Sequence, residues 1–232
     1  MRTLTLVSLL SIASLGAAPL EVVGAQQMPV QSGPVTPTGW TWRMDAAAEP
    51  QRGGTGGVDS TKFEFSPMAP GWHITMGPGG VLSPTREKAD GRFVLEGEMI
   101  FFPDGSNDAE WGLFVGGSAL AGGETRWTAF VLRADGQAAV LEHVSGRTTP
   151  LMEWTANEAI VGRDSTGFAR NRVSVRAEPD SVRLAVNGIV IQAWARSAVV
   201  VDGAYGFRIG KGGNVHITNL DLVRRLAPFP VR

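Results

Sequence analysis

Glu96 and Glu98, two residues apart in GRFVLEGEMIFF (91–102), are the sharpest chemical signal in the sequence. In an extended strand side chains at i and i+2 share a face, and retaining glycoside hydrolysis needs two carboxyl groups roughly 5–5.5 Å apart. The pair is a candidate catalytic couple. Its plainer reading is two carboxylates on the wet face of a strand. A second acidic concentration follows at once, where PDGSNDAE (103–110) gathers Asp104, Asn107, Asp108 and Glu110 around a turn. Oxygens at this density can hold calcium, which takes about 6–8 oxygen ligands, although the spacing is not that of an EF-hand loop. Calcium is thus the one cofactor the residues suggest, set against an ordinary solvated turn.

Other chemistries drop out. His73, His143 and His216 stand far apart without an HExxH spacing, and the absence of cysteine excludes a thiolate zinc site. There is no Gly-x-Ser-x-Gly, and neither GGTGG (53–57) nor GKGG (210–213) carries a full phosphate-loop or dinucleotide fingerprint. Tryptophan remains, with seven against a single tyrosine. An indole face suits the apolar C–H face of a sugar, while protein interiors use the same side chain for bulk. Trp127 beside Arg126 and Trp154 near Asn157 are the candidate ligand contacts, with Arg126 and Asn157 supplying directional hydrogen bonds. Trp72 and Trp111, in the most aromatic runs, are expected in the core.

The elements that must position these residues are strands. Thirty glycines and fourteen prolines punctuate the 232 residues, and no long segment keeps a 3.6-residue period. Runs of strand length recur at Lys62–Phe65, Trp72–Met76, Arg92–Phe102, Glu110–Gly116, Arg126–Arg133, Gln137–His143, Asn171–Ala177, Ser181–Val186, Ile189–Trp194, Tyr205–Ile209 and Val215–Val223. Asp135-Gly136 and Asn187-Gly188 each separate two such runs and predict type I′ hairpin turns. Val173 and Val175 alternate with Arg172, Ser174 and Arg176, as in a sheet with one wet face. From Val215 to Val223 the inward side changes along the run, which predicts a bulge near Asn219. TANEAI (155–160) has weak helical potential, at most a turn or two inside a long connection from 144 to 170.

The N-terminus reads differently. Arg2 precedes an uncharged apolar run from about Leu4 to Leu20, too short and too interrupted to span a membrane, and Val23-Gly24-Ala25 precedes Gln26 as a small-residue cleavage site. Residues 1–25 are therefore expected to be a signal peptide, 26–59 a linker and N-terminal arm, 60–225 one sandwich domain, and 226–232 a tail. Export from the cytoplasm follows, with no transmembrane segment in the mature chain. A formal net charge of -1 gives no basic footprint for nucleic acid.

GWHITMGPGG (71–80), GRFVLEGEMIFF, EWGLFVGG (110–117), NRVSVRAEPDSVRLAVNGIVI (171–191) and GAYGFRIGKGGNVHITNLDL (203–222) together resemble the concanavalin A-like lectin/glucanase superfamily. More narrowly they look like secreted bacterial laminin-G-like domains of the DUF1080, or 3-keto-disaccharide hydrolase-like, kind. The resemblance implies an all-β fold: an antiparallel jelly-roll sandwich of two curved sheets whose concave sheet often contacts carbohydrate. Glucanases of that superfamily carry Glu-x-Asp-x-x-Glu on one strand. Laid onto Glu96 and Glu98, the pattern puts Phe101 where the acid should stand, which removes the general acid. The expectation is an exported noncatalytic domain that binds a carbohydrate or cell-envelope polymer. A glycoside hydrolase with an atypical carboxylate site and a structural or protein-interaction domain are the alternatives.

Overall fold

The computed structural model describes residues 37–45, 58 and 62–224. The stretches expected to be signal peptide and tail, and most of the expected arm, lie outside the described residues. Fourteen strands are formed: β1 (Trp40–Met44), β2 (Phe63–Pro67), β3 (Trp72–Met76), β4 (Gly80–Pro84), β5 (Phe93–Phe101), β6 (Trp111–Ser118), β7 (Arg126–Leu132), β8 (Gln137–Val144), β9 (Arg147–Ala156), β10 (Ala169–Ala177), β11 (Ser181–Val186), β12 (Ile189–Ala195), β13 (Ala204–Ile209) and β14 (Gly213–Val223). They make two seven-stranded sheets, sheet A in the order β1-β4-β13-β6-β7-β8-β9 and sheet B in the order β12-β11-β10-β5-β14-β3-β2. Every pairing is antiparallel.

Alternation places the core between the sheets. Phe93, Leu95, Met99 and Phe101 of β5 and Val173 and Val175 of β10 meet Trp111, Leu113 and Val115 of β6 and Phe130 and Leu132 of β7. Phe101 stacks on Trp111 at 5.9 Å between ring centroids. The expected bulge is present, because the β14–β5 register slips between Ile217 and Asn219. Beyond it Leu220 and Leu222 turn inward, while Val215 and Ile217 do so before it. One extra residue thus reconciles the two halves of the strand.

Three strands were hidden in the sequence. β1 lies within the stretch expected to be arm, where Trp40, Trp42 and Met44 alternate with Thr41 and Arg43 over only five residues. β4 begins at a glycine and ends at a proline. β9 fills the expected connection from 144 to 170; it is an edge strand, which is why Pro150 is tolerated within it. The helical potential of 155–160 is not realised: Thr155 and Ala156 end β9, and Asn157 starts a turn.

The two hairpins divide. Asn187 and Gly188 have φ of 52° and 84°, as a type I′ turn requires. At Asp135-Gly136 only the glycine has positive φ, at 84°, and its N–H donates to the Arg133 carbonyl. Ala134 adds a third loop residue, so the connection is a type I turn closed by a glycine bulge. Ser145-Gly146, between β8 and β9, supplies a further positive-φ pair, at 49° and 85°.

Candidate functional site on the second face of sheet A

Sheet A has a second buried face. Side chains that alternate with the core set, namely Val81 of β4, Phe114 of β6, Trp127, Ala129 and Val131 of β7 and Ala139 of β8, form their own cluster with Leu120, Leu141 and Trp154 at its margin. The side chains of Arg43, Arg133, His143 and Arg208 lie over this face.

Polar groups rise from this floor at one end. Arg208 of β13 is buried and holds two carboxylates at once. Its Nη1 and Nη2 donate to the Asp45 oxygens at 2.7 Å each, and its Nε and Nη2 donate to Glu110 Oε1 at 3.2 and 2.7 Å. Burial alone would lower the Arg208 pKa. Asp45, then Glu110, outweigh it and hold the guanidinium above its ordinary value. The same guanidinium lies 5.1 Å from the centre of the Trp127 ring.

On Trp127 also rests His143 of β8, with ring centroids 4.6 Å apart and planes at 6°. The Gly146 N–H donates to His143 Nε2 at 3.2 Å, so that nitrogen is bare and the proton sits on Nδ1, which meets Thr148 Oγ1 at 2.9 Å. Burial, chiefly, pushes the His143 pKa below 6.5; Asp45 pulls it up, and Arg208 and Arg43 push it down. The imidazole is accordingly neutral at pH 7. Arg43 Nη1 is fixed by the carbonyls of Leu120 and Gly122 at 3.1 and 2.6 Å. Arg43, Asp45, Val81, Trp127, His143, Gly146 and Thr148 line a cavity of ≈ 450 Å³.

The residues expected from sequence do not assemble into one site. Trp127 lines this cavity but is only 2% exposed, so the expectation of an open rim tryptophan is corrected: it supports His143 from below. Arg126 projects from the opposite face of β7, as strand alternation demands, and pairs with Glu142 at 2.7 Å. Trp154 sits under the Arg133 guanidinium at 3.8 Å. The Asn157 side chain is spent on its own turn, accepting from the Ala159 N–H at 2.9 Å.

The acidic turn is divided between two partners. Asp104 accepts from Asn214 at 2.8 Å and Glu110 points to Arg208, and no three His, Cys, Asp or Glu side chains among the described residues are grouped to hold a metal ion. Glu96 and Glu98 share the outer face of sheet B, where Arg172 reaches them at 3.7 and 3.4 Å and Arg170 reaches Glu98 at 3.3 Å. They form an ion-pair ladder. The histidines separate also: His143 belongs to sheet A, whereas His73 and His216 are cross-strand neighbours in sheet B.

Arg43, Asp45, His143 and Thr148 were not legible as site residues. The available signal was parity along β7 and β8, since Trp127, Ala129 and Val131 fall opposite Thr128, Phe130 and Leu132 and both sets are apolar or small. Two apolar faces on one strand mean that the second must be covered or curved.

Comparison with known proteins agrees on the architecture. The carbohydrate binding module CBM66 from Bacillus subtilis superposes with a TM-score of 0.57 at 13% identity, over 80% of this chain and 96% of that one. A β-glucanase from Bacillus licheniformis gives 0.53 at 12%, over 82% and 95%. A Bacillus subtilis protein of unknown function with a galectin-like fold gives 0.53 at 12%, over 79% and 89%. The fold is a concanavalin A-like, galectin-like jelly-roll sandwich. No protein-family model matches the chain, and no curated protein matches its sequence.

Proposed function

We propose that the chain is a noncatalytic carbohydrate-binding domain whose ligand enters the cavity between Arg43, Asp45, His143 and Thr148. The observation that carries this reading is the Arg208 cluster with the Trp127–His143 stack, a set of donors and acceptors already fixed by one another at the cavity. Sugar hydroxyls need such pre-placed partners, because an ordered site loses little further entropy when it binds. Asp45 and Glu110, the carboxylates at hand, are both held by a permanent cation, so neither is set to deliver a proton. The ion-paired Glu96 and Glu98 lie on the other sheet. Among similar structures, one is a carbohydrate binding module by name and another a β-glucanase, which supports sugar as the ligand class.

Calorimetric titration against neutral and acidic oligosaccharides, with a reducing-end assay on the same samples, tests the proposal. Binding that weakens at least tenfold in His143→Gln and Thr148→Val with thermal stability kept is the expected result. Release of product, lost in Glu96→Gln or Glu98→Gln, overturns the noncatalytic reading.

The same proposal includes export, on the strength of residues 1–25, and membership among the secreted bacterial laminin-G-like domains. N-terminal sequencing of protein recovered outside the cytoplasm should begin at Gln26; a chain beginning at Met1 in the membrane fraction counts against it.

A further inference from the structure

The outer face of sheet B carries a second cavity, on the sheet opposite the first. Adjacent strands place Arg170, Ile100, His216 and His73 in one row across β10, β5, β14 and β3. Ile100, Phe102 and His216 line the cavity from the sheet. Val161, Asp164 and Phe168 line it from the connection before β10, and Met68 and Ala69 from the turn before β3. Its volume is ≈ 520 Å³, within the range of small-molecule pockets.

The cavity is built. Asn171, buried in β10, accepts from the Val161 N–H and donates to the Val161 carbonyl, both at 2.8 Å. Asn187 donates to the Ala159 carbonyl at 2.8 Å and to Asn171 Oδ1 at 2.9 Å. Arg163 donates to the carbonyls of Phe102, Gly105 and Gly167. Phe168 packs edge-on to Phe102 at 5.2 Å, and Phe102 packs edge-on to His73 at 5.2 Å. A wall tied down in this way needs no ligand to form it.

One polar group in the lining is left over. His216 is 8% exposed, and its Nδ1 is buried without a hydrogen-bond partner. Its neighbour His73 does not satisfy it: His73 Nε2 meets Thr75 Oγ1 at 3.2 Å, and His73 Nδ1 is itself bare. His216 lines the cavity, and an unpartnered imidazole nitrogen is costly, so the ring marks where a ligand group belongs.

The charges define that group. Asp164 Oδ1 is engaged by the Thr166 hydroxyl and by the N–H groups of Thr166 and Phe168, and these bonds, the Thr166 hydroxyl first, hold its carboxyl below the usual pKa. Arg170 leans on Glu98 at 3.3 Å. One anion and one cation therefore stand at the cavity and offset one another, so neither sign of ligand is favoured. A hydroxyl carries no charge and both donates and accepts, so it suits the imidazole in either tautomer. The two phenyl rings with Ile100, Val161 and Met68 take a flat apolar body.

We propose that this cavity binds a neutral aromatic alcohol, its ring system against the Phe102–Phe168 pair and its hydroxyl on His216. The test is NMR titration of the protein with 2-naphthol, 2-methylnaphthalene, 2-naphthoate and 2-naphthylmethylammonium, following the His216 ring and the Ile100 methyl signals. Saturable shifts at both residues are expected with 2-naphthol, and at least tenfold weaker binding with each of the other three. His216→Asn, Phe168→Ala and Val161→Asp should each weaken 2-naphthol at least tenfold. Val161 is half exposed, so its variant tests the site even if a change at His216 disturbs the fold. Absence of saturable binding, equal affinity for the charged analogues, or unchanged affinity in Val161→Asp overturns the proposal. Each of these outcomes is independent of sugar binding on sheet A.

Discussion

Arg208→Met removes a buried cation while keeping most of the bulk of the side chain. The wild-type guanidinium donates to Asp45 and Glu110, whose side chains are 36% and 17% exposed. Breaking a buried ion pair by deleting one partner costs about 3–5 kcal/mol, because the other is left desolvated. Asp45 is more than a third exposed, so water screens its share, and the cost should fall near the lower figure, about 3 kcal/mol. For a domain of this size about 1 kcal/mol shifts the melting temperature by about 2–4 °C, which gives a fall of about 6–12 °C. Thermal unfolding followed by circular dichroism at pH 7 measures it. Adding Asp45→Asn and Glu110→Gln to Arg208→Met should recover most of the loss, since neutralising every member removes the stranded charges. A fall of less than about 2 °C in the single variant would refute the reasoning, for it would mean that both carboxylates hydrate freely once released.

Stability should decline as the pH falls from 6.5, because burial foremost lowers the pKa of both His143 and His73. With the folded pKa below the unfolded one, the unfolded chain binds more protons; the contribution is full above 6.5 and is lost as pH drops through the folded value. Melting scans from pH 8 downward, repeated on His143→Gln, should show a shallower decline in the variant. Gly188→Val should cost about 1–2 kcal/mol: φ is 84° while the space around an added Cβ is open, so the penalty is backbone strain alone, readable from the urea midpoint. Calcium chloride and a chelator should give melting temperatures within about 1 °C of each other, since Asp104 and Glu110 of the 103–110 turn are bonded elsewhere.

Strand period and turn chemistry carried most of the architecture. Val173 and Val175 against Arg172 and Arg176, and Asn187-Gly188 between two apolar runs, are local patterns that tertiary structure had no reason to override. β1 and β9 were lost because their pairing is supplied by neighbours: Trp40 packs on Phe207 and Phe65, residues far along the chain. The site fared worse for a related reason. Asp45 and Arg208 are 163 positions apart, and nothing near either residue announces the other. Trp127 was singled out by composition, yet whether it faces a ligand or a neighbouring ring depends on β8 laying His143 across it.

Placement of the last two strands has a consequence for the order of folding. β13 lies between β4 and β6, and β14 between β3 and β5, so both close the middle of a sheet rather than extend an edge. Until residues beyond 203 are available, sheet A is split between β4 and β6 and sheet B between β3 and β5. A nascent or truncated chain ending there holds four unpaired interior strand edges and neither finished core. Such long-range pairings form slowly, because distant segments must meet before any contact offsets the ordering of the chain between them. Neither sheet can therefore be completed until the last two strands are made.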